Sequence, residues 1–243
     1  KKYSVPIEFD FLCVDTDWSD WYLLYKILTI YKPRCIMVEI NHIFNYDEDR
    51  VILYEDGSEK NIARPSYGSI YQGASIKSIT NLCKDYTLIY VNSDKSDAFL
   101  VRNDIEEKNK FLNCGNLEKI YNYLPGAGVN NNNMFYINQL FKYKPNSKTY
   151  EKILNKQKNK ENLLCKTRNS TRILDKIKRP YITSELLLNN KKINIIDLIF
   201  VDENLDEIKF SNIEEKEYYC KNHSEYRKII RLLDNINKEF KKI

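Results

Sequence analysis

The sequence predicts an α/β fold: a parallel sheet closed by an antiparallel hairpin, followed by a mainly helical region. Three observations predict it. The run "FDFLCVD" (9–15) is apolar, of strand length and ends in acid, which suits a parallel strand buried on both faces. "SDWYLLYKILTIY" places Trp21, Leu24, Ile27 and Leu28 at helical spacing, and "CIMVEI" (35–40) is a second short apolar strand. Strand, helix and strand with short links form a βαβ unit, which sets its two strands parallel through a right-handed crossover. Third, "YTLIYV", "NSDKSD" and "AFLVR" read as strand, turn and strand, an antiparallel hairpin.

The elements between follow in order. Ser19 is the candidate cap of the first helix, and "KPR" ends it. The stretch from Asn41 to Gly73 is too long for an ordinary connection and reads as a lid or binding loop, with "VILYED" as a short strand inside it. "ASIKSITNLCKD" is a helix capped by Ser75, with Ile76, Ile79, Leu82 and Cys83 on one face. After Asp104 the character changes. "NCGNLEKIYNYLPGAGVNNNN" holds a helix, then a Pro-Gly break and an asparagine run, which marks a boundary. "SKTYEKILNKQKNKENLLCK" is a polar helix, residues 194–210 a hairpin through Glu203-Asn204, and residues 212–242 the longest helical pattern. The expected division is therefore 1–104 and 105–243.

Composition narrows the classes. With 243 residues, 42% apolar and 30% charged, the chain can build a real core. No stretch approaches the roughly 18 apolar residues of a membrane span. The six cysteines form no C-x-x-C pair and no zinc spacing, so they read as reduced structural thiols in a cytoplasmic protein. Residues 1–104 carry 12 Lys+Arg against 16 Asp+Glu, net −4, and the remainder carries 27 against 18, net +9. A basic second half admits a nucleic-acid-associated module. Its lysines alternate with glutamates, as on a solvated face, which counts against that partner.

The first half also resembles a known family. "DFLCVDTDWSDWYLL", "YKPRCIMVEIN" and "YQGASIKSITNLCKDYTLIYVNSDKSDAFLVR" are similar to FkbM-type S-adenosylmethionine-dependent methyltransferases. That family carries D-x-D-G-x-D, K-P-x-x-x-x-x-E-x-N and G-A-S segments in this order before a closing hairpin. The resemblance spans about residues 5–104 and implies the C-terminal part of a Rossmann-like methyltransferase sheet. Trp18 stands where the family has glycine, and no glycine-rich cofactor loop precedes residue 10. The expectation is an N-terminally incomplete domain, with an upstream segment or second subunit supplying the missing strands and the cofactor contacts.

In open parallel sheets, ligands bind outside the carboxyl ends of the strands. Asp15 and Asp17 leave the first strand there, and Glu39, Asn41 and His42 leave its neighbour. Asp15, Asp17, Glu39 and His42 are the candidate catalytic residues, able to orient a hydroxyl or take its proton. Trp18, Asp20 and Asn41 are the candidate substrate contacts. Structural alternatives stand beside these: Asp15 and Asp17 as helix caps, Asp20 as first-turn charge, His42 in structural or incidental use, and the neighbouring Trp21 as core. The resemblance implies S-adenosylmethionine as cofactor and a small hydroxylated or glycosidic molecule as substrate. Carboxylates at this rim also suit a divalent metal. The rival expectation is a degenerate, non-catalytic interaction module.

Overall fold

The computed structural model describes residues 4–16, 18–54, 72–92, 95–111, 113–123, 180–189, 192–201, 207–223 and 226–239. Asp17, the polar helix expected around 147–166 and the turn at Glu203-Asn204 lie outside them.

The predicted βαβ unit is present: β1 (Phe11–Val14), α1 (Asp20–Leu28) and β2 (Cys35–Glu39). β1 and β2 are parallel, with Phe11 opposite Cys35 and Val14 opposite Val38. A two-residue strand β3 (Val51–Ile52) and helix α2 (Ile76–Leu82) follow, then the hairpin strands β4 (Tyr86–Val91) and β5 (Asp97–Arg102). The sheet order is β1-β2-β5-β4. β5 is antiparallel to both neighbours, so β4 runs parallel to β1 and β2 and the reversed strand is inserted between them. The result is a mixed sheet of the α/β class.

Strand alternation splits the sheet into two unlike faces. Val14, Ile36, Val38, Leu88, Ala98 and Leu100 are buried in the core with Trp21 and Leu24 of α1 and Ile76 and Ile79 of α2. On the opposite face Cys35, Met37 and Phe99 are only half-buried, Cys13 is exposed and Phe11 is 53% exposed. Burial of β1 on both faces is thus corrected. Among the described residues, no strand pairs with its outer edge, and that face is packed chiefly at β4, against α3 (Leu117–Tyr123).

The second half adds β6 (Tyr181–Ile182), α4 (Ser184–Leu188), α5 (Ile213–Asn222) and α6 (Tyr226–Glu239). β6 pairs antiparallel with β3, so residues some 130 apart in sequence share a small sheet, with Ile199 bridging to Tyr181. The main core cluster runs on through Leu187, Leu198, Ile229 and Ile236 without interruption at Asp104. The expected hairpin at 194–210 survives as the Val201–Glu207 bridge and an Ile208 N–H to Phe200 carbonyl bond of 2.9 Å. Its first arm is instead a 3₁₀ turn, Ile195–Asp197, closed by a capping box between Asn194 and Asp197. The long C-terminal pattern breaks into two helices at His223, an extended residue (ψ 135°) whose ring lies 5.6 Å from that of Phe200. In α6, Ile229, Leu232, Leu233 and Ile236 form the buried stripe, the i, i+3, i+4, i+7 pattern of an amphipathic helix. The described cysteines are all free thiols, and no helix among the described residues is long and apolar enough to cross a membrane.

Candidate functional site at the strand carboxyl ends

The parallel register settles which groups share an edge. Val14 lies opposite Val38 in the last pair of the register, and Asp15 follows Val14 directly as Glu39 follows Val38. Glu39 in turn lies opposite Asp97 of β5. Neighbouring strands are about 4.8 Å apart, and all three positions belong to the half-open face. Asp15 is exposed, while Glu39 and Asp97 are half-buried. Like charges directly across a sheet are unfavourable, and Asp97 is held in place by Asn92 and by the Ser96 hydroxyl, 2.9 Å away. Asp97 is the residue that motif reading missed. Its signal was the "NSDKSD" turn, whose Asn92 side chain accepts from the Ser96 and Asp97 N–H groups, each at 2.9 Å.

The substrate candidates are on the sealed side of the same rim. Asp20 is wholly buried and turned back, accepting from the Thr16 N–H at 2.7 Å and the Thr16 hydroxyl at 3.0 Å. It closes the β1–α1 turn, whereas Ser19 sits at the cap position without a side-chain cap bond. Asn41 is 4% exposed; its amide donates to the Gln72 carbonyl at 2.9 Å and its oxygen accepts from the Ile43 N–H at 3.2 Å. The Asn41 N–H also reaches the Ala74 carbonyl, and the Gly73 N–H reaches the Trp18 carbonyl. Segment 72–75 is thus laced across both strand exits. Gly73 is needed there because its φ of +54° lies in the left-handed region that costs a side-chain-bearing residue. Ser75 caps α2 as the sequence predicts, accepting from the Ser78 N–H. The Trp18 side chain packs against Phe44, Ile52, Tyr181, Ile199 and Val201, a satellite core between β3 and the second half.

His42 is exposed on the loop beyond Asn41. Its carbonyl lies 3.1 Å from the Tyr121 hydroxyl, which also lies 2.8 Å from the Phe44 carbonyl, so α3 pins the backbone of this loop. Among the described residues, no group of three His, Cys, Asp or Glu is arranged to hold a metal ion.

The second carboxylate oxygen of Asp20 is buried without a hydrogen-bond partner. Burial raises its pKa above the ordinary 3.8, against the lowering effect of the Thr16 bonds. A carboxyl raised in the folded state favours folding most below its unfolded value, and that contribution is lost as pH rises through the folded value. Asp20→Asn keeps an acceptor for Thr16 but cannot ionise. Wild type should therefore lose stability relative to this variant between about pH 3 and about pH 7. Urea midpoints at the two pH values check this, and an unchanged difference would refute it.

Comparison with known proteins returns no matching family model and no significantly similar curated protein or solved structure. Fold and site therefore define the class alone: a mixed α/β protein with acids at the carboxyl edge of its parallel pair.

Proposed function

We propose that this chain supplies the acceptor side of an S-adenosylmethionine-dependent O-methyltransferase fold acting on a small hydroxylated or glycosidic molecule. The observation that carries this reading is that Asp15 and Glu39 each follow the last register pair, Val14 and Val38, at the carboxyl ends of adjacent parallel strands. The inserted antiparallel strand β5 adds support, because a closing hairpin is what the family resemblance implies.

The described residues do not fit the cofactor by themselves. Their two glycines, Gly73 and Gly115, precede α2 and α3 and do not form a glycine-rich turn between a parallel strand and its helix. An upstream segment or a second subunit would bring those contacts, and the edge of β1, which no strand among the described residues pairs, suits a further strand. When bound, the cofactor supplies the methyl group. This chain's part is to hold the acceptor hydroxyl between Asp15 and Glu39 and to take up its proton on Glu39, the more enclosed carboxylate. His42 lies on the solvent side, where it can pass that proton outward.

Titration calorimetry of the complete protein with S-adenosylmethionine tests the reading; no heat at millimolar ligand would count decisively against it. In a complete enzyme, Glu39→Gln should lower kcat by about 10²–10⁴-fold, the usual share of a general base. An unchanged kcat would remove Glu39 from that role.

A second reading, a non-catalytic interaction module, is favoured by Trp18. Its side chain serves a packed cluster where the resemblance has glycine, and Asp20 and Asn41 spend their hydrogen bonds internally. This reading expects silent calorimetry even with the full protein.

A further inference from the structure

At the opposite, amino end of the sheet lies a cavity of 520 Å³, within the roughly 300–1,000 Å³ range of small-molecule sites. Its apolar wall is made where α1, α2 and α4 end, from Leu28, Leu82 and Leu188, together with Tyr25, Tyr31 and Tyr86. The polar rim holds Glu8, Asp85 and Asp104 against Lys32 and Arg102.

Arg102 is the basic group set deepest, its side chain 16% exposed, and four of its five N–H donors are already engaged. Asp104 grips it with two bonds of 2.8 and 3.0 Å, Glu8 with one of 3.2 Å, and its remaining nitrogen donates to the Lys32 carbonyl at 2.8 Å. It has no fork left for an incoming carboxylate or phosphate. Lys32 is exposed and snorkels to water. Asp85, also exposed, leaves the lining one negative charge in excess. Helix C-termini carry partial negative charge, and α1 delivers its end to this wall. The tyrosine faces attract cations as well. Burial pushes the Cys83 thiol and the Tyr86 hydroxyl up to about 12. Both stay protonated, and Tyr86 donates to the Pro33 carbonyl at 2.9 Å. Neither offers a ready nucleophile to the cavity.

We propose that this cavity is a binding site for a small organic cation, an ammonium group on an apolar or aromatic body, distinct from the carboxyl rim. The body lies on the leucine and tyrosine wall and the ammonium faces Asp85 and Glu8.

Three probes of one shape and different charge test it on the full chain: phenethylamine, 2-phenylethanol and 3-phenylpropionate, titrated while amide shifts around Leu28, Leu82 and Tyr86 are followed. The ammonium should bind about tenfold tighter than the alcohol, the scale of a partly desolvated cation–aromatic contact plus one carboxylate, and the carboxylate weakest. The surface change Asp85→Asn should reduce the ammonium's advantage and leave the alcohol's affinity unchanged. Leu82→Trp, which narrows the cavity at its apolar wall, should weaken all three. Equal affinities, a tighter carboxylate, an Asp85→Asn variant that keeps the full preference, or no shifts at ten millimolar probe would each overturn the proposal.

Discussion

Trp21→Ala is expected to lower stability by about 3–5 kcal/mol, the cost of emptying a large aromatic site in a packed core. That is a large part of the roughly 5–15 kcal/mol that holds a typical domain together. Trp21 is 1% exposed and joins α1 to α2. Its indole N–H donates to the Ser78 carbonyl of α2 at 3.1 Å, its ring stacks on Tyr25 at 5.6 Å, and it meets Tyr22 edge-on at 5.2 Å. Alanine would leave a void and remove the side-chain bond between α1 and α2. Trp21→Phe separates the two effects: it keeps most of the packing and loses the hydrogen bond, so it should cost about 1–2 kcal/mol. Urea unfolding followed by circular dichroism distinguishes the pair. An alanine variant within about 1 kcal/mol of wild type would mean that α1 and α2 are held together by something other than this contact.

Trp21 also shows why part of this fold is legible in the sequence. Its 3–4 spacing with Leu24 and Leu28 marks the core face of a helix, and strand, helix and strand in tight succession leave one handedness and one direction. The parallel pairing of Phe11–Val14 with Cys35–Val38 follows from local pattern alone. So does the hairpin, because its turn residues bond one another within six positions. The carboxyl rim is different. Asp15 and Glu39 could be placed from the strand ends, but the sealing of Asp20, Asn41 and Trp18 depends on partners far along the chain. Trp18 packs against the cluster that holds Tyr181, and β3 pairs with β6. A two-residue strand carries no period to read, and loop closure over such distances leaves no trace in neighbouring residues. Motif reading thus treated the rim as one pocket mouth, whereas packing divides it into an open acidic side and a closed side. The amino-end cavity was illegible for a related reason: its wall is made from the ends of helices, where patterns stop.

That closed side rests on one carboxylate, and Asp49→Ala should release it. Asp49 accepts from the Ser184 N–H and the Ser184 hydroxyl, each at 2.9 Å, at the start of α4. It accepts further from the Glu185 N–H at 3.4 Å and the Asn81 amide at 3.3 Å. A carboxylate at a helix start is favoured by both the unpaired N–H groups and the dipole, and bonds to a charged acceptor are roughly twice as strong as neutral ones. Losing the set should cost about 2–3 kcal/mol. The neighbouring Arg50–Glu207 pair spans the same halves at 3.1 Å, but Glu207 is 46% exposed, so that contact is worth at most about 1 kcal/mol. Asp49 is therefore the stronger tie. Without it, the hydrogen bonds between Tyr181 and Ile199, both 2.8 Å, should lose amide-exchange protection well before those of β2 and β5. Asp49→Asn should fall between, keeping acceptors but losing charge. Should Tyr181 and Ile199 stay as protected in Asp49→Ala as in wild type, the apolar cluster around Phe44 and Trp18 would be sufficient to hold the second half over the rim. The closed side would then be held by packing and not by this charged cap.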